Sequence, residues 1–343
     1  MTTNIKLLLL LYCLSLTSCT SGKKMEKFEW MPTECAPELY PVEIYKGHLV
    51  YEDGNSIYVP SKAFVTNGWG EVGSMHIVGE NLKPVPVRLN LTWLSFTEDK
   101  FFTGSFRLPQ EKIAKLFREG YYDASRKRNG NYNGIVVGMA PGGRVAVWVQ
   151  GIVTQQVEVG WFQAHDTVVA MKDYAPSAGN TSQHEFVDGM MKTEPKITEN
   201  LKEHGYNYGL WDSYRERFSW RPVIEYRSGG HTDYMDISYY NGEKEELALE
   251  TLAKNDFAER PRMKEFDAYW NGLDGRPYGL IIIFEEAEVF AAFKKLHDSA
   301  PEKKIELFLR LDPEHQPLVE IFLRNGTETL PLKHSKIRIY DNV

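Results

Sequence analysis

From residue 27 onward the chain is written mainly in a two-residue rhythm of apolar and polar positions, the pattern of strands with one face against a core. "PVEIYKGHLVY" (41–51) and "NSIYVPSKAFV" (55–65) alternate in this way, and "PVPVRLNLTWLSF" (84–96) gives a longer strand followed by "KFFTGSFRL" (100–108). The rhythm then changes. In "PQEKIAKLFREG" (109–120), Ile113, Leu116 and Phe117 recur at helical spacing between Pro109 and Gly120, which predicts one amphipathic helix. Two apolar runs broken at Pro141-Gly142-Gly143 predict a hairpin over 134–151, and "VEVGWFQA" (157–164) adds a strand.

The same order then recurs. "KFEWMP" (27–32) reappears as "RFSWRP" (217–222), with a base, Phe, Trp and Pro at matching places. After the second copy, "DYMDISYYNG" (233–242) and "RPYGLIIIF" (276–284) read as strands. "AEVFAAFKKLH" (287–297) reads as a helix with Val289, Phe290, Phe293 and Leu296 on one side, and "IELFLRLDPEHQPLVEIFLRNG" (305–326) as a hairpin. The expectation is an α+β chain of two tandem related domains, each mainly antiparallel β-sheet with one amphipathic helix. Phe218 and Trp220 would take the core positions of Phe28 and Trp30. The first domain is set at 28–170, a polar connecting segment with a short helix near Ile197–His204 at 171–216, and the second domain at 217–343. Residues 243–274 have no clear counterpart in the first half and are expected to be partly helical.

Length agrees with this division, since 343 residues exceed one ordinary core of about 100–200. With 40 Lys and Arg against 47 Asp and Glu the net charge is −7, so the chain lacks the basic excess that draws nucleic acid, and no nucleic-acid partner is expected.

The first 18 residues form a different unit. "MTTNIKLLLLLYCLSLTSC" places Lys6 before an apolar run from Leu7 to Leu16, too short for the about 20 residues of a membrane span and suited to an export signal. Leu16-Thr17-Ser18-Cys19 resembles the lipobox of bacterial lipoproteins, which makes Cys19 the expected lipid attachment site and 19–27 a tether to the membrane. Thr20 after that cysteine favours the outer membrane of a bacterial envelope. Cys13 leaves with the signal and Cys19 carries lipid, so Cys35 has no cysteine to pair with.

"FEWMP", "LNLTWLSFTEDKFFTGSFRLPQEKIAKLFREGY" and "YNGIVVGMAPGGRVAVWVQG" leading to "VEVGWFQA" resemble the bacterial lipoproteins of the domain of unknown function 2931 family. That resemblance covers most of residues 27–165 and implies an envelope lipoprotein with an α+β domain. It supplies no catalytic residues, and immunity partnership with secreted toxins is a hypothesis it suggests.

The chemistry-bearing motifs are few. No HExxH, CxxC, GxSxG or phosphate-cradling glycine loop occurs, so neither metal nor cofactor is expected and the chain reads as non-enzymatic. In "HTDYMD", His231 and Asp233 would share one strand face while Asp236 points to the other; a solvated sheet rim accounts for them. Cys35 lacks a recognisable base and reads as an inert small residue. Two loops stand out as contact surfaces: "NGWGEVG", with Trp69 either displayed between glycines or packed in a core, and "YYDASRKRNGNYNG", with Arg126, Lys127 and Arg128 among tyrosines. The function expected is a non-catalytic binding protein tethered in the envelope, foremost an immunity-type clamp on a protein partner. The alternatives are a glycan-binding surface lipoprotein and an envelope hydrolase using His231 or Cys35.

Overall fold

The computed structural model describes residues 25–60, 64–77, 79–151, 154–227, 229–272, 275–312 and 318–341. The expected signal segment, Cys19, most of the expected tether and residues 313–317, where the hairpin turn is expected, lie outside these residues.

Alternation becomes burial in the expected sense: along Arg88–Ser95, Leu89, Leu91 and Trp93 are buried while Arg88 and Asn90 are exposed. The first half contains β1 (Lys27–Glu29), β2 (Met31–Cys35), β3 (Val42–Val50), β4 (Ser56–Tyr58), β5 (Leu82–Pro84), β6 (Arg88–Ser95) and β7 (Lys100–Arg107). Then come α1 (Gln110–Glu119), β8 (Tyr121–Asp123), β9 (Arg128–Gly130), β10 (Gly134–Ala140), β11 (Arg144–Gln150), β12 (Gln156–Gln163) and β13 (His165–Thr167). Helix α1 buries Ile113, Ala114 and Phe117 and stops at Gly120, whose φ of 62° favours glycine and whose N–H caps Leu116 O.

Short helices fill the connection: α2 (Met171–Tyr174), α3 (Gln183–Met191), α4 (Pro195–His204) and α5 (Leu210–Tyr214). Helix α3 begins with a capping box between Ser182 and Glu185 and lays Val187 on Leu94, Phe96 and Phe101. The second half contains β14 (Phe218–Tyr226), β15 (His231–Tyr239), β16 (Lys244–Ala248), α6 (Leu249–Lys254), β17 (Ala258–Arg260) and β18 (Met263–Asn271). It ends with β19 (Pro277–Ile283), α7 (Glu286–Ser299), β20 (Ile305–Asp312), β21 (Leu318–Arg324), β22 (Thr329–Pro331) and β23 (Lys336–Asp341). The described part of residues 243–274, expected to be partly helical, holds one six-residue helix among strands.

The fold is mixed α+β with mostly antiparallel sheets. In the first half β2 runs parallel to β10, which continues antiparallel through β11 and β12, and a separate sheet has the order β4-β3-β6-β7-β13. In the second half β17 pairs with β14, which runs parallel to β20 and on antiparallel through β21 and β22, and the remaining strands follow the order β16-β15-β18-β19-β23. The halves are not separate sandwiches. β12 pairs with β16 at Gln156 and Lys244, joining strands of both halves into one nine-stranded sheet.

The six-residue motif has a concrete structural meaning. Phe28 packs on Phe117 of α1 at 5.4 Å and Trp30 lies parallel to that ring; Phe218 packs on Phe293 of α7 at 5.1 Å with Trp220 beside it. A buried cation completes each group. Lys83, opposite Phe28 in register, donates to Trp30 O at 2.8 Å, and Arg260, opposite Phe218, donates to Trp220 O at 2.8 Å. Each cation also stands 5.8–5.9 Å from the tryptophan ring. Burial lowers the pKa of Lys83, so the ammonium depends on these acceptors. Lys83→Met keeps the aliphatic stem and leaves Trp30 O unpaired, so a loss of about 1–3 kcal/mol in denaturant unfolding is expected. A change below about 0.5 kcal/mol would deny the lysine this role.

Candidate functional site

The joint between the halves is built from aromatic rings and glycines. Trp148 on β11 is fully buried, donates from Nε1 to Asn241 O at 3.2 Å, and lies edge-on to Trp69 at 5.0 Å. Trp69 also meets Trp161 and Trp211. Gln156 Nε2 bridges Gly70 O and Gly242 O at 2.7 and 2.5 Å. A Cβ on Gly70 would fall 2.6 Å from Gly242 Cα, so both chains need glycine where they touch. Ion pairs of Lys244 with Glu71, Arg215 with Glu158 and Arg217 with Glu243 ring the contact.

Beside this joint lies the most unusual electrostatic arrangement in the described molecule. Alternation on β15 and β18 sends Met235, Ile237, Phe266 and Ala268 into the core and turns Tyr234, Asp236, Asp267 and Tyr269 to the opposite face. Register then aligns Glu246, Asp236 and Asp267 in a row across β16, β15 and β18. The next row pairs Tyr234 with Tyr269, stacked at 4.2 Å, and continues over Gly279 to Tyr340. Glycine at 279 leaves room for the Tyr340 ring, which a Cβ there would meet at 2.4 Å.

From the first half, the β8–β9 hairpin closes one end: Ala124 N donates to Glu246 Oε1 at 2.9 Å. Among the described residues none of the three carboxylates forms an ion pair. Burial, then the neighbouring charges of Glu246, Asp267 and Asp123, push Asp236 up to about 8. Burial, then Glu265, push Asp267 up to about 7, and burial raises Glu246 against the opposing pull of Ala124 N–H. As carboxylates, Asp236 Oδ1, Glu246 Oε2 and Asp267 Oδ1 are buried without hydrogen-bond partners; a proton shared between Asp236 and Glu246 makes a bond there. Burial first, and then the like charges, favour the protonated form of these carboxyls, and an arriving cation favours their ionisation.

The residues singled out in the sequence fall on both sides of this picture. Trp69, read either as a displayed anchor or as a core residue, is 8% exposed and packed in the joint, and Gly70 beside it serves the close approach to Gly242. Arg126, Lys127 and Arg128 are exposed at the tip of the β8–β9 hairpin. Arg126 folds back on Asp123 at 3.1 Å, and Lys127 turns the chain with φ of 51°. His231 pairs only loosely with Asp233, at 3.3 Å in solvent, and a bulge between Thr232 and Tyr234 separates both from the Asp236 row. Cys35 is fully buried with Trp69, Val136 and Trp148, and burial raises its thiol far above the usual range. Cys19 lies outside the described residues.

Among the described residues, no group of three or more His, Cys, Asp or Glu side chains is placed to hold a metal ion, and no helix is long and apolar enough to cross a membrane. The fold and the site define a mixed α+β protein with an acidic, tyrosine-flanked sheet face next to the joint of its halves. Residues 17–209 match the family described as Protein of unknown function (DUF2931), and the chain belongs to that family. Asp236, Glu246 and Asp267 lie beyond the matched segment. Neither the curated proteins nor the solved structures contain a match.

Proposed function

We propose that this protein is a non-catalytic binding protein of the bacterial envelope, anchored through Cys19, whose carboxylate and tyrosine face takes a cationic group of a protein partner. In this reading the chain consists of two tandem related α+β domains, 28–170 and 217–343. The recurring strand order and the repeated set of Phe, Trp and buried cation support it. An immunity-type role, blocking a basic partner, is the form that suits an acidic chain. The observation that carries the proposal is the row Glu246, Asp236 and Asp267, three carboxyls without an ion pair beside stacked tyrosines. Tyrosine supplies large contact area at small entropic cost, and a lysine or arginine brought among the carboxyls supplies the missing charge.

The test is capture of the proteins encoded beside its gene, with the tether removed. A micromolar or tighter complex is expected, weakened at least about tenfold, or about 1.4 kcal/mol, by Asp236→Asn with Asp267→Asn. Because the cation binds the ionised carboxyls, affinity rises from about pH 6 to about pH 8.5 with release of protons. An affinity unmoved by the double substitution or falling over that pH range would overturn the proposal.

A second reading, glycan capture, draws on a cleft of about 460 Å³ where Phe28, Phe117 and Tyr132 stand beside Asn129, Asn131 and Asn133. Aromatic faces and carboxamides suit sugar rings and hydroxyls. A glycan array without binding, or binding untouched by Phe28→Ala, would remove it.

A further inference from the structure

The first half presents an open sheet face at the same place in the strand order as the carboxylate row, and its charge is opposite. Strand β3 pairs with β4 and β6 as β15 pairs with β16 and β18. Across β6 and β7, Arg88 faces Arg107; the next row is His48, Asn90 and Ser105, and the next is Lys46, Thr92, Thr103 and His165. Lys46, His48, Arg88, Arg107 and His165 are all exposed, and no carboxylate stands in these rows. None of these five makes an ion pair among the described residues. A shallow trough of about 390 Å³ runs between Lys46, His48, Asn90 and His165.

On the corresponding face of the second half stand Glu246, Asp236 and Asp267, with Glu265 one step further along β18, and the row runs on over Ile281 to the exposed Arg338 at its far end. One face therefore carries unpaired cations without carboxylates and the other carboxyls without ion pairs. We propose that the partner whose cations enter the carboxylate row is a second copy of this chain, docking its first-half face, with Lys46, Arg88 and Arg107, on the second-half face of its neighbour. This rests on the cation-binding reading above and names its occupant. The contact joins two different patches, so it is head to tail, and each added copy leaves one basic and one acidic face open. Once the carboxyls ionise against the arriving cations, the pairing fixes register and weakens with salt.

The test is sedimentation of the protein carrying Cys19→Ala, so that no lipid anchor drives association. Wild type is expected to form dimers and longer assemblies at about 100 μM in about 50 mM salt, and to be monomeric in about 500 mM salt. A basic-face variant, Lys46→Glu with Arg88→Glu and Arg107→Glu, alters exposed side chains only and is expected to be monomeric. An acid-face variant, Asp236→Asn with Asp267→Asn, conserves shape and is expected to associate at least tenfold more weakly. Mixed, the two are expected to give a capped one-to-one dimer, because each retains the face the other lacks. Monomeric wild type at low salt, or a mixture that does not associate, overturns the inference. Should the wild type stay monomeric yet still bind a basic protein through Asp236 and Asp267, the inference fails while the functional reading stands. Loss of both sinks both. Binding of the basic face to vesicles of about one-third phosphatidylglycerol, with no self-association, also overturns it.

Discussion

Trp148→Ala is expected to lower the unfolding free energy by about 3–5 kcal/mol, the cost of emptying a fully buried indole site that cannot collapse. The ring lies against Gly138 and Gly242, where it replaces side chains that those positions cannot carry, and edge-on to Trp69. Its Nε1 donates to Asn241 O in the second half, so the same substitution orphans a buried carbonyl across the joint. Trp148→Phe separates the two contributions: it retains most of the volume and loses the hydrogen bond, for a cost of about 1–2 kcal/mol. Equilibrium unfolding in urea, followed by tryptophan fluorescence and far-ultraviolet circular dichroism, measures both. Separation of the two probes into distinct transitions in Trp148→Ala, with one transition in wild type, is the expected signature of halves that no longer unfold together. A loss below about 1 kcal/mol would mean that the joint does not depend on this ring.

Asp236→Asn is expected to act in the opposite direction, and only at the upper end of the pH range. Asp236 has a folded pKa raised from 3.8 to about 8. For an acid shifted upward, the folded chain binds the proton more tightly than the unfolded chain. Its stabilising effect is fully present below about pH 4 and is lost as pH rises towards 8. Asp267, raised to about 7, acts in the same sense over a narrower window. Each group contributes a slope of up to about 1.4 kcal/mol per pH unit inside its window. The amide of Asn can donate to Glu246 as the protonated acid does and never ionises. The variant is therefore expected to match wild type near pH 4 and exceed it by roughly 2–5 kcal/mol near pH 8. Urea midpoints at the two pH values check this. Equal losses at both pH values would show an aspartate held as an ion.

Much of the fold was legible because its local rules are short-ranged. Ile113 and Phe117 mark α1, Val289, Phe293 and Leu296 mark α7, and Pro141-Gly142-Gly143 turns between two strands as expected. Phe290 departs from that pattern. It is half-buried and faces Arg262 at 3.8 Å and Tyr240, because its helix also borders the joint. The join of β12 to β16 leaves no trace in the sequence, since it rests on one residue pair, Gln156 and Lys244, and on two glycines that read as loop signals.

The candidate site was hidden for a related reason. Asp236, Glu246 and Asp267 span 32 residues, and in a strand pattern each reads as an ordinary polar position facing solvent. Only register places them side by side, next to the Ala124 hairpin and the tyrosine row. A signal was available in retrospect: Tyr234, Asp236, Asp267 and Tyr269 repeat at spacing two on strands whose other faces are apolar, and they include no cation. Trp69 takes the packed alternative of the two its surroundings left open. Glycines on either side of an aromatic residue suggest an exposed loop, but here one of them, Gly70, lets the backbone touch that of Gly242 beside a buried ring.

The claim on which the functional account rests is that burial, together with acidic neighbours, holds the Asp236 and Asp267 carboxyls well above the ordinary aspartate range. Side-chain carboxyl carbon chemical shifts, followed by NMR from pH 3 to pH 10 in the protein without a partner, test this directly. Midpoints of about 8 for Asp236 and about 7 for Asp267 are expected. Titration of both near the ordinary aspartate value of about 3.9 would contradict the account.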